Sequence, residues 1–546
     1  SEPVSLDFMS RLAESKTLAA RMRGLQEVPL SAVLLQDRGF HLNMLDAFQG
    51  MFPIIDPAVA RKISHGIADV CRCLQAAQPN IRYAQGSQIC RQVAEQVQAE
   101  LSVSERGPGE GQVPLQLLIL DRSVDIAAVL VHEYTYEAVA YDLLDGDILD
   151  IHRNIVKMRG PPARELMLGD SDDFWQRLRY KHVEDVRASL DAEIERLRAN
   201  AAREASGGND ISTAELLDKL RRSPQDRDNM ERLDLHTTML SSVFRQFEEQ
   251  SITTVLGLLE QDIACGVDQA GKDVKDNALQ NALRRAFTDP AVTLSSETRL
   301  RLLMLYFSCI ANISETVRTK LIEMARLEPE EQAVLMSMLR SKLMEIPDTQ
   351  RHKLGSGTVH RVTKEQAARF KRNALSDQRY TLSRFEPRLK EILEQLQKGA
   401  LKEADYTTLD SGSSSTGGLR AAGAGGGGAG PLPTFGTPTD EWGFGNWPTG
   451  DNKKANGTAG AGEGAAVTAR YVVFVVGGIT HSELRAAAEV LEASPKGTEI
   501  LLGGTSLLTP RRLLTALGGR GSHQAAAAQG AHPTVVGSGV DAVDLT

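Results

Sequence analysis

The chain has 546 residues, 41% hydrophobic and 24% charged, with 62 Lys and Arg against 71 Asp and Glu for a net charge of −9. At roughly 150 residues per domain this predicts several domains with ample core, and the acidic balance argues against a dedicated nucleic-acid binder, which would carry a basic face. The opening SEPVSLDFMSRLAESK lacks the basic and apolar regions of a secretory signal, and no apolar run is long enough to span a membrane, so any membrane role is expected to pass through a protein partner.

In chain order, LSAVLLQ (30–36) reads as a strand, and IDPAVARKISHGIADVCRCLQAA as a helix entered through Pro57, since proline is tolerated in a first turn. Cys71 and Cys73 form a CxC pair, but two positions apart on a helix they face away from each other, and no second pair or histidine cluster completes a metal site. Five cysteines at low density predict free thiols rather than a disulfide framework. GPGEGQ (107–112) is a loop. Leu115, Leu117, Leu118, Ile119 and Leu120 then form an apolar run ending at Asp121, the pattern of a parallel strand covered on both faces. HEYTYEAVAYDLL (132–144) follows as a helix.

From about 147 to 395 the pattern turns helical. Val183, Val186, Leu190, Ile194, Leu197 and Ala201 recur at spacings of three and four. SGGND (206–210) interrupts them, Ser212 and Glu215 form a capping-box pattern for the next helix, and Pro224 is expected to stop or kink that helix. A stripe of Met230, Leu233, Leu240, Val243 and Phe247 resumes after it, with a polar gap at His236 and Thr237. Together these predict a protruding helical hairpin over 212–247. LRLLMLYFSCIANI predicts a buried helix. Residues 410–469, rich in Gly, Ala and Ser, predict a flexible linker, and 520–546 a disordered tail. RYVVFVVGGITHSELRAAAEVLEA and TEILLGGTSLLTPRRLLTAL each read as strand, Gly-Gly turn and helix. The predicted fold class is α/β plus α: a parallel sheet domain built from both chain ends, with a large all-helical domain inserted.

The candidates for chemistry each have a bland alternative. Asp121 and Asp125 lie at and after a strand end, where α/β active sites gather, but an Asp-x-Asp pair would need a carboxylate where Ser123 stands; Asp121 and Arg122 also suit a structural ion pair or a cap. His132-Glu133 lacks the second histidine of a zinc-protease helix, since Tyr136 holds that position, and a helix cap is the simpler role. Gly477-Gly478 and Gly503-Gly504 match neither phosphate-binding fingerprint and fit tight corners with close backbone approach. No GxSxG elbow is present. The basic run Arg361, Lys364, Arg369, Lys371 and Arg372 fits a solvated helix face better than a lipid or partner-protein contact. No catalytic residue, cofactor or metal is expected, which leaves helix-mediated protein recognition.

Several blocks then carry a resemblance. LLILDRSVDIAAVLVHEYTYEAVAYDLL, with Asp121, Arg122, Asp125, His132 and Glu133, resembles the central motif of the SM (Sec/Munc, syntaxin-binding) proteins, regulators of SNARE assembly. MLGDSDDFWQRLRYKHVEDV, with Asp173, Trp175, Arg179, Lys181 and His182, resembles a second block of that family, and LLEQDIACG and TRLRLLMLYF resemble two more. YTLSRFEPRLKEILE carries Ser383, Arg384, Phe385 and Pro387; FVVGGITHSELR carries Gly477, Gly478, Thr480, Glu483 and Arg485; LLGGTSLLTP resembles the closing strand and turn.

The resemblance implies an arch-shaped body, with residues 1–27 a remnant of domain 1, 28–146 and 396–546 forming domain 2, and 147–395 forming domain 3. It implies no enzymatic activity. It implies a cytoplasmic monomer, peripheral to the plasma membrane or secretory vesicles, that clasps a syntaxin-type SNARE, binds the assembled SNARE complex, and templates the vesicle SNARE along the hairpin. The secretory branch is expected, with the Golgi or endosomal branch, or an α/β hydrolase or nucleotide-binding protein with a helical insert, as alternatives. The SNARE-binding residues it implies are Leu220, Arg221, Pro224, Asp226, Met230, Leu233, His236 and Thr237. The chain departs from the family pattern in three places: most of domain 1 is expected to be missing, Asp226 and Thr237 replace an aromatic and an apolar residue, and Ile126–Val129 lack the family proline.

Overall fold

The computed structural model describes residues 31–518, apart from 37, 77, 103–112, 152, 159–162, 170, 206–223, 293, 342, 344–351, 355–357, 377–381 and 410–466. The expected linker, apart from 467–469, and the expected tail lie outside the described residues, as do the domain 1 remnant and the capping pattern at Ser212 and Glu215. The chain divides into two units: one of residues 1–44, 55–124 and 387–507, the other of 45–54, 125–386 and 508–546.

The first unit is built on a seven-stranded sheet. Its order is Val33–Leu35, Gly39–His41, Thr498–Gly504, Ala469–Val476, Leu115–Asp121, Asn80–Ala84, Tyr406–Thr408. The five inner strands run parallel and the two edge strands antiparallel. The two most apolar runs of the sequence lie side by side at the centre, Val473 opposite Leu118 and Val476 opposite Asp121. A strand flanked by strands and covered on both faces has no solvated side, which is why neither run alternates with polar residues. The helices Arg388–Gln397 and His481–Glu492 bring Leu389, Ile392, Leu393, Leu484 and Val490 onto Leu118, Leu120, Val473 and Val475 in one cluster. The helix Pro57–Cys73 opens as expected, with Pro57 in its first turn and the Asp56 carboxylate accepting from the Ala58 amide at 2.8 Å. Cys71 is buried and Cys73 exposed, the divergence that their spacing predicts.

The second unit is mainly helical, but it also holds two small antiparallel sheets that the sequence reading of an all-helical insert lacked. Leu149–Asp150, Ile155–Met158 and Arg164–Met167 form one; Ile310–Ala311, Thr358–His360 and His352–Leu354 form the other. The buried helix expected at LRLLMLYFSCIANI ends at Cys309, and Ile310–Ala311 turn into a strand. The helix expected over 132–144 starts only at Tyr136, because Thr135 is pinned in a β-bridge with His182. Pro224 is the first described residue of the 26-residue helical stretch Pro224–Glu249, and the segment before it, where a stop or kink is expected, lies outside the described residues. The unit boundary at 125 differs from the expected domain boundary at 147. The all-buried run Ile126–Val131 and the helix Tyr136–Leu143 pack on the helices Ser296–Cys309 and Pro224–Glu249. Likewise Pro510–Gly518 packs on Pro329–Arg340.

Candidate partner-binding site and its supports

The strand ends of the first unit, where an α/β enzyme would hold its chemistry, are filled. Arg122 donates to both carboxylate oxygens of Glu483, at 2.9 and 2.6 Å, and to the Gly478 carbonyl at 3.0 Å, with both side chains fully buried. Glu483 also caps its helix: it accepts from the Thr480 amide at 3.0 Å while Thr480 Oγ1 accepts from the Glu483 amide at 3.2 Å. Gly477 and Gly478 take φ of 98° and 103°, a region glycine enters without penalty. A Cβ on Gly503 would sit 2.1 Å from the Phe40 ring, so the second glycine pair serves close packing. Asp121 accepts from the Ser123 amide at 2.8 Å and from the Ser87 hydroxyl. These groups consume one another, and of the two roles open to Asp121 and Arg122 the structure shows both: Arg122 in an ion pair, Asp121 as a cap.

In the second unit the other motif blocks lock together around the helix Gly257–Cys265. His132 Nδ1 lies 2.9 Å from each Glu260 oxygen, and its backbone amide donates to Glu260 at 3.0 Å. Arg301 reaches His132 Nε2 at 3.0 Å and grips Asp142 at 3.1 and 2.8 Å. His132 therefore caps no helix; it is a buried link between segments, and Glu133 beside it accepts from Thr135 at 3.2 Å. Gln261 Oε1 accepts from the Arg384 and Phe385 amides at 2.9 and 2.8 Å, and Arg384 pairs with Asp262 at 2.7 Å. Burial pushes the Asp262 carboxyl up from its ordinary value despite that arginine. Ser383 is exposed. Asp125 accepts from the Ala128 amide at 3.2 Å. In the first unit, Pro387 precedes the helix Arg388–Gln397 as its cap residue.

The helical pair rises from a second buried cluster. His236 is fully buried on the helix Pro224–Glu249. Its Nε2 lies 3.2 Å from the Asp172 carboxylate, its Nδ1 3.0 Å from Tyr136 Oη, and its ring stacks on Trp175 at 6.2 Å. Asp172 also caps the helix Asp173–Leu178 by accepting from the Trp175 amide at 3.0 Å, and pairs with Arg232 at 3.4 Å. Burial works to raise the Asp172 carboxyl, but His236, the Trp175 amide and Arg232 together hold it below the usual range. His182 stacks on Tyr134 at 6.1 Å, and burial lowers its pKa against the opposing pull of Asp185 and Glu184. The backbone carbonyl of Arg179, itself buried, accepts from the Glu137 amide at 2.8 Å.

Of the hairpin residues implied for SNARE contact, Leu220 and Arg221 lie outside the described residues. Pro224 and Asp226 belong to the first turn of the long helix, and their side chains lie outside the described residues too. Met230 is half-buried and Thr237 exposed, its hydroxyl turned back onto the Leu233 carbonyl at 2.8 Å. Leu233 and His236 are occupied inside the unit rather than offered to solvent. On Val183–Ala205, Val183, Val186 and Leu190 are buried while Ile194 and Leu197 are only half-buried, so the apolar stripe emerges toward the far end of the helix. A shallow groove beside Thr237 is lined by Thr238, Ser241, Ser242 and Arg245. Asp172, Tyr136, Glu260, Asp262 and Arg301 were not singled out in the sequence as contact residues, although all of them lie inside the quoted motif blocks, the one signal that marked them.

The α/β unit has filled strand ends, and the helical unit carries a long helical pair, features that suit a protein-binding class. The model of the Sec1 family matches residues 1–516, and the chain belongs to that family. It is 28% identical over 432 residues to protein transport Sec1a of Arabidopsis thaliana, covering 74% of this chain and 60% of that relative's length. It is 25% identical over 554 residues to the SNARE-interacting protein KEULE of the same plant, covering 95% of this chain and 80% of that one. Its fold is similar to a chain in the crystal structure of the Unc18–syntaxin 1 complex from Monosiga brevicollis, with a TM-score of 0.66 and 23% identity over 94% of this chain and 81% of that one. Among the described residues no helix is long and apolar enough to cross a membrane.

Proposed function

We propose that this protein is a cytoplasmic SNARE-binding regulator of secretory vesicle fusion, acting by holding helices together rather than by catalysis. The observation that carries the reading is its Sec1-family match over residues 1–516. KEULE, a relative along nearly the whole chain, is named for interacting with SNAREs. The helices Val183–Ala205 and Pro224–Glu249 supply a physical means, since half-buried apolar positions at Ile194, Leu197 and Met230 can accept another amphipathic helix. A syntaxin-type SNARE is the proposed first partner, with the assembled SNARE complex also bound and the vesicle SNARE joining along the helical pair.

Calorimetry of the purified chain against SNARE domains of plasma-membrane, Golgi and endosomal syntaxins tests this, with and without a vesicle SNARE. Selective binding to a plasma-membrane syntaxin is expected. Selective binding to a Golgi or endosomal syntaxin would move the protein to that branch, and no binding to any would reject the reading for this chain.

A further inference from the structure

Residues 352–372 carry six Lys and Arg against one Glu, in a chain whose net charge is −9. The helix Lys364–Ser376 of the second unit sorts part of that run onto two faces. Ala367, Phe370 and Ala374 are buried, and Phe370 stacks on Phe385 at 5.8 Å. Lys364, Ala368, Arg372 and Leu375 recur at spacings of four, four and three, and all are exposed. Glu365, the helix's one carboxylate, lies at the margin of that stripe. Arg369 and Lys371 are neutralised, by Glu386 at 3.3 Å and Asp273 at 2.7 Å.

The turn that carries Asp273 brings a further cation to the stripe. Gly271 takes φ 71°, and a Cβ on it would lie 3.5 Å from the Lys371 carbonyl and 3.6 Å from the Leu375 side chain. Lys272, between Gly271 and Asp273, is exposed. Asp268 is folded into its own turn, accepting from the Ala270 and Lys272 amides at 2.9 and 2.8 Å. Among the described residues Lys364, Arg372 and Lys272 have no carboxylate partner. A lone exposed leucine is ordinary. Leu375 is 68% exposed beside unpaired cations, a combination that suits the boundary between charged headgroups and acyl chains.

We propose that the stripe Lys364–Ala368–Arg372–Leu375, with Lys272, docks directly on an anionic phospholipid surface. The three cations meet headgroup phosphates, and Leu375 enters the acyl boundary. Headgroups are mobile and supply a phosphate wherever a long side chain reaches. An acidic protein would instead need carboxylates fixed opposite all three cations and an apolar socket for Leu375. The basic run alone reads as a solvated face; Leu375, and Lys272 from a turn 90 residues upstream, are what the fold adds to it. This contact goes beyond the function proposed above, because it needs no SNARE.

Co-flotation of the full chain with vesicles tests it, using phosphatidylcholine alone and phosphatidylcholine with phosphatidylserine. Binding to the anionic vesicles only is expected, weakening as salt rises. Each cation near such a surface is expected to contribute about fivefold in affinity, so Lys364→Gln with Arg372→Gln weakens binding roughly thirtyfold. Leu375→Gln is expected to weaken it roughly fivefold. All three positions are exposed, so the thermal midpoint is expected to stay in place. Arg61→Gln with Lys62→Gln removes the same charge from exposed positions on the helix Pro57–Cys73, and is expected to change binding less than about threefold. No binding to the anionic vesicles, or equal weakening by the two double variants, would overturn the proposal. Unchanged binding in Leu375→Gln would overturn the insertion of Leu375. Retention of a poly-glutamate peptide by a chain that leaves both vesicles alone would overturn the lipid surface in favour of an acidic polypeptide.

Discussion

Arg122 and Glu483 are 361 positions apart in the chain and fully buried against each other. An ion pair taken out of water is held by its geometry, and removing one partner strands the other charge. Arg122→Met is therefore expected to cost about 3–5 kcal/mol in urea unfolding. The double change Arg122→Met with Glu483→Met is expected to recover all but the ~1 kcal/mol of the lost helix cap. A double variant no more stable than the single one would show that the pair does not act as a unit. Asp172 leads to a pH dependence. Its carboxyl is held below the ordinary value, so its contribution is complete above about pH 4, the unfolded pKa, and fades as pH falls through the lower folded value. At pH 7 Asp172→Asn is expected to be the less stable protein. Below about pH 4 the unfolding midpoint of the parent is expected to fall more steeply than that of the variant, so parallel pH curves would remove Asp172 from this role.

Helix Pro224–Glu249 presents two faces with different jobs. Leu235, Met239 and Val243 are fully buried, while Thr237, Ser241 and Arg245 face solvent. Leu235→Ala is expected to cost about 2–5 kcal/mol, because the cavity it leaves is lined by a packed core. Thr237→Ala is expected to stay within about 0.5 kcal/mol, since its hydroxyl bonds only its own helix. Equal losses in thermal unfolding would mean that the two faces are misassigned. Pro224 is the first described residue of this helix. Proline disfavours helical geometry in the residue before it and clashes with the carbonyl a turn upstream. Pro224→Ala removes both barriers, and is expected to slow hydrogen exchange just upstream of 224, alter SNARE assembly and leave the thermal midpoint in place. A large drop in that midpoint would show that Pro224 supports the core.

The first unit is assembled from distant parts of the chain, and the middle of its sheet is where they join. Ala469–Val476 lies between Leu115–Asp121 and Thr498–Gly504, so the two central interfaces both depend on residues beyond 466. A chain ending at 440 is expected to be insoluble, because it leaves Leu117–Leu120 without their partner strand. Co-expressed with residues 441–546 as a separate chain, it is expected to regain solubility and co-purify, since strand pairing and side-chain burial, not the connecting peptide, hold the sheet. Failure of the two pieces to associate would count against a sheet completed by both ends.

The α/β pattern, the helical insertion and the apolar stripe of the long helices were legible in the sequence because burial imposes a period on local residues: near-continuous for a covered strand, three to four for a helix. The resemblance of ordered motif blocks likewise pointed to the family. The small sheets at 149–167 and 310–360 were not legible, since strands of two to four residues carry too little pattern to read. Nor were the partners of the motif residues. Glu260, Gln261 and Asp262 are neighbours in sequence, yet two distant segments, around His132 and Arg384, meet on them. His236 reads as a polar gap in an apolar stripe, and only the fold shows that Asp172 and Tyr136 fill that gap. Local sequence determines which face of an element avoids water. A buried polar side chain is satisfied by whichever group the tertiary structure brings within about 3 Å, and no local pattern records that group's identity.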